Sequence, residues 1–315
     1  MAASRQTIAL AAVGSMGKFV CEDLLADDRF NVVVISRGRD EWFTSRNVPI
    51  HVSDYSHDSV LSILNETNAT TLLSFLNLND ERYITIHKAF LSACIASQSC
   101  KRLMPSEYCG NIEAHPARPR FYGTTREPFR QILKTEADGV EWTLIENGWF
   151  MDYFLPKEKS YMRPVPDEFP INLDDWTARV RGTGDEPQSW TLAREVGRAI
   201  VALCADTKGW EPVTYVCGQW GTYNEVIKTM ESFYNRPIPK TYTPPDEIRD
   251  YVAANLDNDQ VYAVQAVMCD EWSIDGATEV PKETTLRQRE KYFANCKFST
   301  LEEVLGMAKG VRGVV

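Results

Sequence analysis

The sequence predicts an α/β fold, a doubly wound parallel sheet with a smaller, interleaved C-terminal lobe. Short apolar runs alternate with helical segments over residues 1–150, which is the pattern of βαβ units. The 315 residues are enough for about two domains. Prolines interrupt the chain after residue 150, so we expect a sheet domain at 1–150. Residues 151–315 should form mainly the smaller lobe, with some segments returning to the main sheet.

The elements of the first half follow in order. Helices are predicted where apolar residues recur at helical spacing, first around Met16, Val20 and Leu24, then after a cap at Asp58, over 81–97 and near 128–137. Buried parallel strands are predicted at the apolar runs 7–11, 31–36, 50–52, 71–76, 102–104 and 142–145. Because parallel sheets bind ligands beyond the carboxyl ends of their strands, functional residues should directly follow these runs.

The second half carries fewer regular patterns. Residues 192–206 and 222–233 are typical of helices, and another helix should open at Pro245, since proline suits a first helical turn. Residues 213–216 form a β-branched run, which we expect to rejoin the main sheet.

Composition limits the partners. The net charge is −10, from 34 basic and 44 acidic residues, which argues against nucleic acid or an anionic membrane as partner. No apolar run of about 20 residues is present. Eight scattered cysteines and four histidines show no metal spacing. We expect a cytoplasmic monomer or homodimer that acts on a small molecule and holds no metal.

The turn after the first strand reads Ala11-Ala12-Val13-Gly14-Ser15-Met16-Gly17, a G-x-x-G-x-x-G pattern with alanine in first place. Small residues let a pyrophosphate approach the backbone, and the following helix supplies amide hydrogens. This position between strand and helix predicts a Rossmann-type dinucleotide site. The expected contacts in the turn are Ala12, Gly14, Ser15, Met16 and Gly17. The alternative is that these glycines only allow close packing of helix and strand.

The end of the second strand predicts which nucleotide binds. An acidic residue there would accept hydrogen bonds from the ribose of NAD, but this chain has Ser36-Arg37-Gly38-Arg39. Arg37 suits a 2′-phosphate, so NADPH is the predicted cofactor. A solvated surface arginine pair is the alternative. Residues after the other strands are expected to border the same cofactor, namely Asp54, Tyr55, Asn77, Pro105 and Asn147. For Asp54 and Tyr55, a plain turn with a helix cap is the alternative.

The segment MPSEYCG (104–110), after such a turn and a strand-two arginine, resembles the NmrA-like and isoflavone-reductase-like proteins, which are atypical short-chain dehydrogenases. WTLIENGWFMDYF (142–154), SWTLAREVGRAI (189–200) and GTYNEVI (221–227) are similar to the same family. The resemblance covers most of residues 7–235. It implies a Rossmann domain, NADPH and a small substrate lobe. It also suggests the fungal members of secondary metabolism, many of which act on aromatic or alkaloid intermediates.

One departure from the family concerns the predicted catalytic residues. Reductases of the family carry a lysine four residues before an arginine, where this chain has Arg126 before Arg130. Arginine stays protonated and cannot serve as a general base, although it can hold the nicotinamide ribose or stabilise an oxyanion. Tyr122, Arg126 and Ser106 also resemble the Tyr-x-x-x-Lys and Ser set of ordinary short-chain dehydrogenases, in which tyrosine donates a proton.

Pro128 weakens this triad, because the helix is predicted to begin there and would leave Tyr122 and Arg126 in a loop. A packing tyrosine and a surface arginine are the alternative. His115, in the loop 111–120, is a second candidate for proton exchange, or a loop histidine without a role. The predicted lining of an aromatic substrate pocket is Trp149, Phe150, Tyr153 and Trp272, for which core packing is the alternative.

Three functions remain open on these grounds. The first is an NADPH-dependent reductase of a small aromatic or alkaloid-type metabolite, with hydride transfer to C=N, C=C or C=O. The second, prompted by Arg126, is an NADPH-binding cyclase or rearrangement enzyme of alkaloid biosynthesis without simple net reduction. The third is a non-catalytic nucleotide sensor of the NmrA type, against which Tyr122, Ser106 and His115 argue mildly.

Overall fold

The computed structural model describes residues 5–259 and 261–315. The strands are β1 (Gln6–Ala11), β2 (Phe30–Ser36), β3 (Ile50–Val52), β4 (Ala69–Ser74), β5 (Arg102–Met104), β6 (Glu141–Trp142), β7 (Leu144–Glu146), β8 (Trp149–Phe150), β9 (Ile171–Asn172), β10 (Thr177–Arg181), β11 (Gln188–Thr191), β12 (Val213–Tyr215), β13 (Gln219–Gly221) and β14 (Lys240–Thr243). The α-helices are α1 (Ser15–Leu25), α2 (Glu41–Thr44), α3 (His57–Thr67), α4 (Arg82–Ala96), α5 (Arg126–Glu136), α6 (Ala193–Ala205), α7 (Tyr223–Tyr234), α8 (Pro245–Ala254), α9 (Tyr262–Ile274), α10 (Lys282–Tyr292) and α11 (Leu301–Gly310).

The main sheet is parallel and has the order β3-β2-β1-β4-β5-β6. The strand order reverses at β1 and β4, which is the switch point where doubly wound sheets bind dinucleotides. β1 is the central strand, and its residues 8–11 are completely buried. The predicted α/β fold with a doubly wound parallel sheet is therefore confirmed.

The chain forms two compact units, each built from separated segments. The first unit comprises the chain up to Glu107, then Thr125–Ile145 and Gly197–Thr214. The second comprises Tyr108–Thr124, Glu146–Val196 and Tyr215–Val315. Residues 197–214 thus return to the sheet unit, whereas residues 108–124 and 146–150 cluster with the other one. No helix in the described part of the chain is long and apolar enough to cross a membrane.

Three local predictions need correction. The sixth strand is split at Thr143 into β6 and β7, and the run 213–216 pairs with β7 instead of joining the six-stranded sheet. The cause is a partner distant in the sequence, because the Leu144 amide donates to the Pro212 carbonyl over 3.0 Å. The cap of α3 is Ser56, whose hydroxyl accepts from the Ser59 amide, while Asp58 lies inside the first turn.

The third correction concerns α5, which begins at Arg126 and not at Pro128. Pro128 lies in the first turn, where a missing N–H breaks no intrahelical hydrogen bond.

The second unit contains two small sheets, β14-β10-β9 and β13-β11-β8. Its apolar core includes the completely buried Trp190 and Tyr223. Capping boxes fix the starts of two helices, with Thr222 and Glu225 at α7 and Thr300 and Glu303 at α11. These features give the second unit a core of its own. Its ranges hold more residues than those of the first unit, so the prediction of a smaller lobe is wrong.

Candidate functional site

The two glycines of the turn between β1 and α1 differ in their surroundings. A Cβ atom added at Gly17 would lie 3.0 Å from Val13 Cγ1 and 3.2 Å from Phe75 Cδ2, so this glycine serves close packing of α1. A Cβ at Gly14 would meet no atom within 4 Å. Because α1 begins at Ser15, the open space at Gly14 lies at the amino end of this helix. The packing alternative therefore holds for Gly17, whereas a dinucleotide contact at Gly14 stays a prediction.

Two non-glycine residues with left-handed backbone follow strands of the main sheet. Ala12, after β1, has φ 53°, and Tyr55, after β3, has φ 68°. This conformation costs an alanine or a tyrosine about 1 kcal/mol or more. Such strain often accompanies functional positions, and here it lies at the sheet edge where the cofactor is expected.

Arg37 is exposed and approaches a predicted cofactor residue. Its guanidinium carbon lies 5.9 Å from the ring centroid of Tyr55. Burial raises the pKa of the Tyr55 hydroxyl, and the positive charge of Arg37 opposes that shift. The Asp54 carboxylate accepts from the Ser56 amide over 2.9 Å, so it shapes the turn. Hydrogen bonds from the hydroxyl and the amide of Ser56 lower the pKa of Asp54. The remaining predicted cofactor residues of this unit are the half-buried Ser15, the buried Met16 and Pro105, and the exposed Asn77.

Ser106 is held from α4. The Tyr83 hydroxyl donates to the Ser106 carbonyl over 2.7 Å, and the Ser106 amide lies 3.2 Å from Nε2 of His87. Nothing in the sequence pattern singled out Tyr83 or His87 as functional. The only available signal was a pair of polar side chains one turn apart on an otherwise apolar helix face.

Arg126 is buried, so the surface-arginine alternative is wrong. Its Nη1 donates to the Leu78 carbonyl over 2.6 Å and to Asn79 Oδ1 over 2.9 Å. Its guanidinium also lies 4.3 Å from the ring centroid of Tyr83. The structure therefore brings Arg126 and Ser106 together through one tyrosine of α4.

Glu107 forms a buried ion pair that the sequence predictions did not include. Its carboxylate accepts from Arg130 Nε over 3.0 Å and from Nη2 over 2.6 Å, and both side chains are 1% exposed. A buried charge needs a partner of this kind. The pair links the segment after β5 to α5. It gives Arg130 a structural role as the partner of a buried carboxylate.

The second unit carries the other catalytic candidates. Tyr122 lies in a 3-10 turn, Arg120–Thr124, and its ring centroid is 5.0 Å from that of Phe121. The expectation that Tyr122 and Arg126 both lie outside the helix is right for Tyr122 and wrong for Arg126, which is the first residue of α5. His115 lines an open groove of about 490 Å³ together with Pro116, Ala117, Arg118, Arg249, Ile274 and Asp275. Asp275 accepts from Arg118 over 2.6 Å and from Arg249 over 3.0 Å.

The predicted substrate residues form one aromatic cluster. The ring centroids of Trp149 and Trp272 are 4.9 Å apart, and Tyr153 lies 6.1 Å from both Trp149 and Phe150. Asn147 is completely buried, and its Nδ2 donates to the Gly148 carbonyl over 2.9 Å. Within the described residues, Asn147 Oδ1 and Trp272 Nε1 are buried without a hydrogen-bond partner.

Curated fungal oxidoreductases are similar to the chain over nearly its whole length. The oxidoreductase swnR of Arthroderma benhamiae is 28% identical over 299 residues, covering 95% of this chain and 96% of the relative. Its namesake from Metarhizium robertsii is 29% identical over 300 residues, with the same coverage. The phenylcoumaran benzylic ether reductase Betv6 of Betula pendula is 22% identical over 266 residues, covering 79% and 80%. The chain matches no protein-family model.

Solved reductase structures share the fold. AtPrR2 with NADP+ and (+)pinoresinol gives a TM-score of 0.74 at 15% identity, covering 97% of this chain and 99% of that one. The complex of leucoanthocyanidin reductase and NADPH from Vitis vinifera gives 0.71 at 18% identity, covering 97% and 100%. At such identities the likeness establishes the fold alone. Together with the sequence relatives, it confirms the resemblance that the sequence predicted.

Proposed function

We propose that this chain, a relative of the isoflavone-reductase-like oxidoreductases, is an NADPH-dependent reductase of a small aromatic or alkaloid-type metabolite. The observation that carries the proposal is the open space at Gly14 with the exposed Arg37 beyond the next strand. A pyrophosphate needs the first feature and a 2′-phosphate the second. The named oxidoreductases and the NADP-complexed neighbours support an NADPH-dependent oxidoreductase.

The residues present fit NADPH. Gly14, Ser15 and the amino end of α1 would hold the pyrophosphate, and Arg37 the 2′-phosphate. Bound NADPH supplies a hydride for reduction of C=N, C=C or C=O. Arg126 would then hold the nicotinamide ribose through its N–H groups, or stabilise a developing oxyanion with its fixed positive charge. It cannot exchange a proton, because a guanidinium stays protonated at any working pH.

Proton transfer and substrate binding are assigned to the second unit. Tyr122 and His115 are the proposed proton donors where the substrate is a carbonyl. Trp149, Phe150, Tyr153 and Trp272 are the proposed lining for an apolar, aromatic ring system. The eight cysteines are free thiols, which suits the reducing cytoplasm, and we expect a monomer or homodimer there.

The contacts of Arg126 favour a second candidate. Arg126 stays protonated and its Nη1 is bonded to Leu78 and Asn79, so it does not replace the family's lysine in proton transfer. An enzyme that cyclises or rearranges an alkaloid-type intermediate, with NADPH bound but not consumed, is compatible with that arrangement.

One experiment tests these proposals in two steps. NADPH, NADP+ and NADH are first titrated against the purified chain by quenching of tryptophan fluorescence. We expect a dissociation constant near 1 µM for NADPH and about tenfold weaker NADH binding. Cyclic imines, enones and aromatic ketones are then incubated with NADPH, and the products are weighed by mass spectrometry.

A reductase yields a product with two added hydrogens and oxidises one NADPH per product. An isomeric product without NADPH oxidation would replace the reductase by the second candidate. Binding of both redox forms without any turnover would indicate a sensor. If neither nucleotide binds, the dehydrogenase assignment fails altogether.

A further inference from the structure

A histidine and a tyrosine lie side by side beneath the segment that follows β5. Tyr83 and His87 are one helical turn apart on α4, both are completely buried, and their ring centroids are 4.2 Å apart. Buried polar side chains are stable only when their hydrogen bonds are satisfied. The partners of these two residues therefore show what the pair does.

The hydrogen bonds of His87 fix its tautomer. Nδ1 lies 2.9 Å from the Tyr83 carbonyl, which can only accept, so Nδ1 carries the proton. Nε2 is then an acceptor, 3.2 Å from the Ser106 amide and 3.0 Å from Ser74 Oγ. Burial and, to a smaller extent, the charge of Arg126 lower the pKa of His87 to about 3, although the hydrogen bond to the Tyr83 carbonyl opposes this shift. The ring is neutral at every pH at which the protein is expected to work.

Tyr83 makes contacts through both its hydroxyl and the face of its ring. Its hydroxyl donates to the Ser106 carbonyl over 2.7 Å, while His87 accepts from the amide of the same residue. The face of its ring carries the Arg126 guanidinium at 4.3 Å, a cation–π contact. One turn of α4 thus holds the backbone of Ser106 at both polar groups and supports the side chain of Arg126.

We propose that Tyr83 and His87 are positioning residues, which fix Ser106 and Arg126 for binding of the nicotinamide end of NADPH. The proposal rests on the proposed function, in which Arg126 holds the nicotinamide ribose. Because Arg126 is also bonded to Leu78 and Asn79 after β4, its charge stays at one place when the cofactor arrives. Charge that needs no reorganisation is the form in which electrostatic stabilisation is most effective.

The test compares four variants of the full chain. Tyr83→Phe removes the bond to the Ser106 carbonyl, and His87→Leu removes the acceptor for the Ser106 amide. His87→Gln keeps an acceptor near the position of Nε2. The matched control is Thr143→Val in the same unit. It removes the buried hydrogen bond between the Thr143 and Thr214 hydroxyls, whose oxygen atoms are 2.8 Å apart. NADPH affinity and thermal stability are measured for each variant.

We expect Tyr83→Phe and His87→Leu to weaken NADPH binding about tenfold. His87→Gln should bind within about twofold of the unchanged protein, which a mere loss of packing would not allow. Thr143→Val should lose thermal stability without losing affinity. If His87→Leu does not fold, the NADPH affinities of Tyr83→Phe and Thr143→Val still test the positioning role.

A spectroscopic signature completes the test. In protein labelled with 15N-histidine, His87 should show a protonated Nδ1 and an unprotonated Nε2 from pH 5 to pH 8, and His87→Gln assigns its signals. Titration of His87 in this range, or equal NADPH affinity in all four variants, would overturn the positioning role. Failure of the unchanged protein to bind NADPH would instead overturn the proposed function, so the two failures are distinguishable.

Discussion

At the scale of single residues, the charge after β2 should determine nucleotide preference. Arg37 is exposed, so Arg37→Ala should leave the free energy of unfolding unchanged. It should raise the dissociation constant of NADPH about 10- to 100-fold, since a charge-assisted bond to phosphate is lost. NADH affinity should stay the same. Calorimetric titration of both nucleotides checks this, with Arg5→Ala as control at the opposite end of β1. Equal weakening of NADPH and NADH would contradict the 2′-phosphate assignment.

A second residue-scale prediction concerns pH. The pKa of His87 is about 3 in the folded chain and near 6.5 when unfolded, so the unfolded state binds the proton first as pH falls. Stability from the neutral ring is complete above pH 6.5 and is lost between pH 6.5 and pH 3. Between pH 7.5 and pH 5, the unchanged protein should lose about 2 kcal/mol more than His87→Gln.

Urea unfolding at both pH values measures this difference. Asp270 acts in the opposite direction, because burial raises its pKa to about 6 although Arg181 lowers it. Folding then favours its protonated form, and stability from this group grows as pH falls through 6. Asp270 is present in both proteins, so its contribution cancels in the comparison. Identical pH dependence of the two proteins would refute the buried neutral histidine.

Residues with a local pattern were predictable, and those with distant partners were not. Arg37 directly follows β2 and Gly14 lies three residues after β1, so their positions could be predicted from the sequence alone. His87 and Glu107 depend on Ser106 and Arg130, which are 19 and 23 residues away. Only the fold brings these partners together.

At the scale of elements, two substitutions in the turn between β1 and α1 should affect NADPH affinity and stability separately. Gly14→Ala should leave the free energy of unfolding nearly unchanged, because its Cβ meets no atom within 4 Å. It should weaken NADPH binding about tenfold, since the methyl group occupies the space expected for pyrophosphate. Gly17→Ala should instead destabilise by about 1 kcal/mol through its close contact with Val13.

Fluorescence titration and urea unfolding of the same preparations measure both effects. Gly306→Ala, in the interior of α11 with open space around it, is the control and should gain about 1 kcal/mol in stability. Unchanged NADPH affinity in Gly14→Ala would contradict the assignment of the pyrophosphate to this turn.

The elements themselves were predicted unevenly. β1 to β5 were predictable because β-branched and apolar runs stand between helical segments. The division of the sixth strand depends on the pairing of β7 with β12, some 70 residues later. Helix α10 (Lys282–Tyr292) is mostly charged and buries Thr285, Gln288 and Tyr292. It therefore lacks the apolar periodicity on which helix prediction depends.

At the scale of the whole molecule, the sheet unit needs residues from beyond position 150. A Cβ at Gly197 would lie 3.5 Å from Phe19 on α1, and the Trp210 ring lies under the Arg102 guanidinium at 4.9 Å. A chain ended at residue 150 loses these contacts and exposes the apolar surface they cover. It should show no cooperative thermal transition by circular dichroism, whereas the full chain should show one. A folded, NADPH-binding fragment of residues 1–150 would contradict this division of the chain.

The interleaving of the two units also has a consequence for synthesis on the ribosome. The first unit has all but its last segment once Ile145 has emerged, but it is complete only at Thr214. At about 5–20 residues per second, the gap lasts roughly 3 to 14 s. During that time the surface around Phe19 is not yet covered by residues 197–214, so it is exposed to aggregation or to binding by a chaperone. The yield of folded protein in a cell therefore depends on the speed of translation as well as on the stability of the finished molecule.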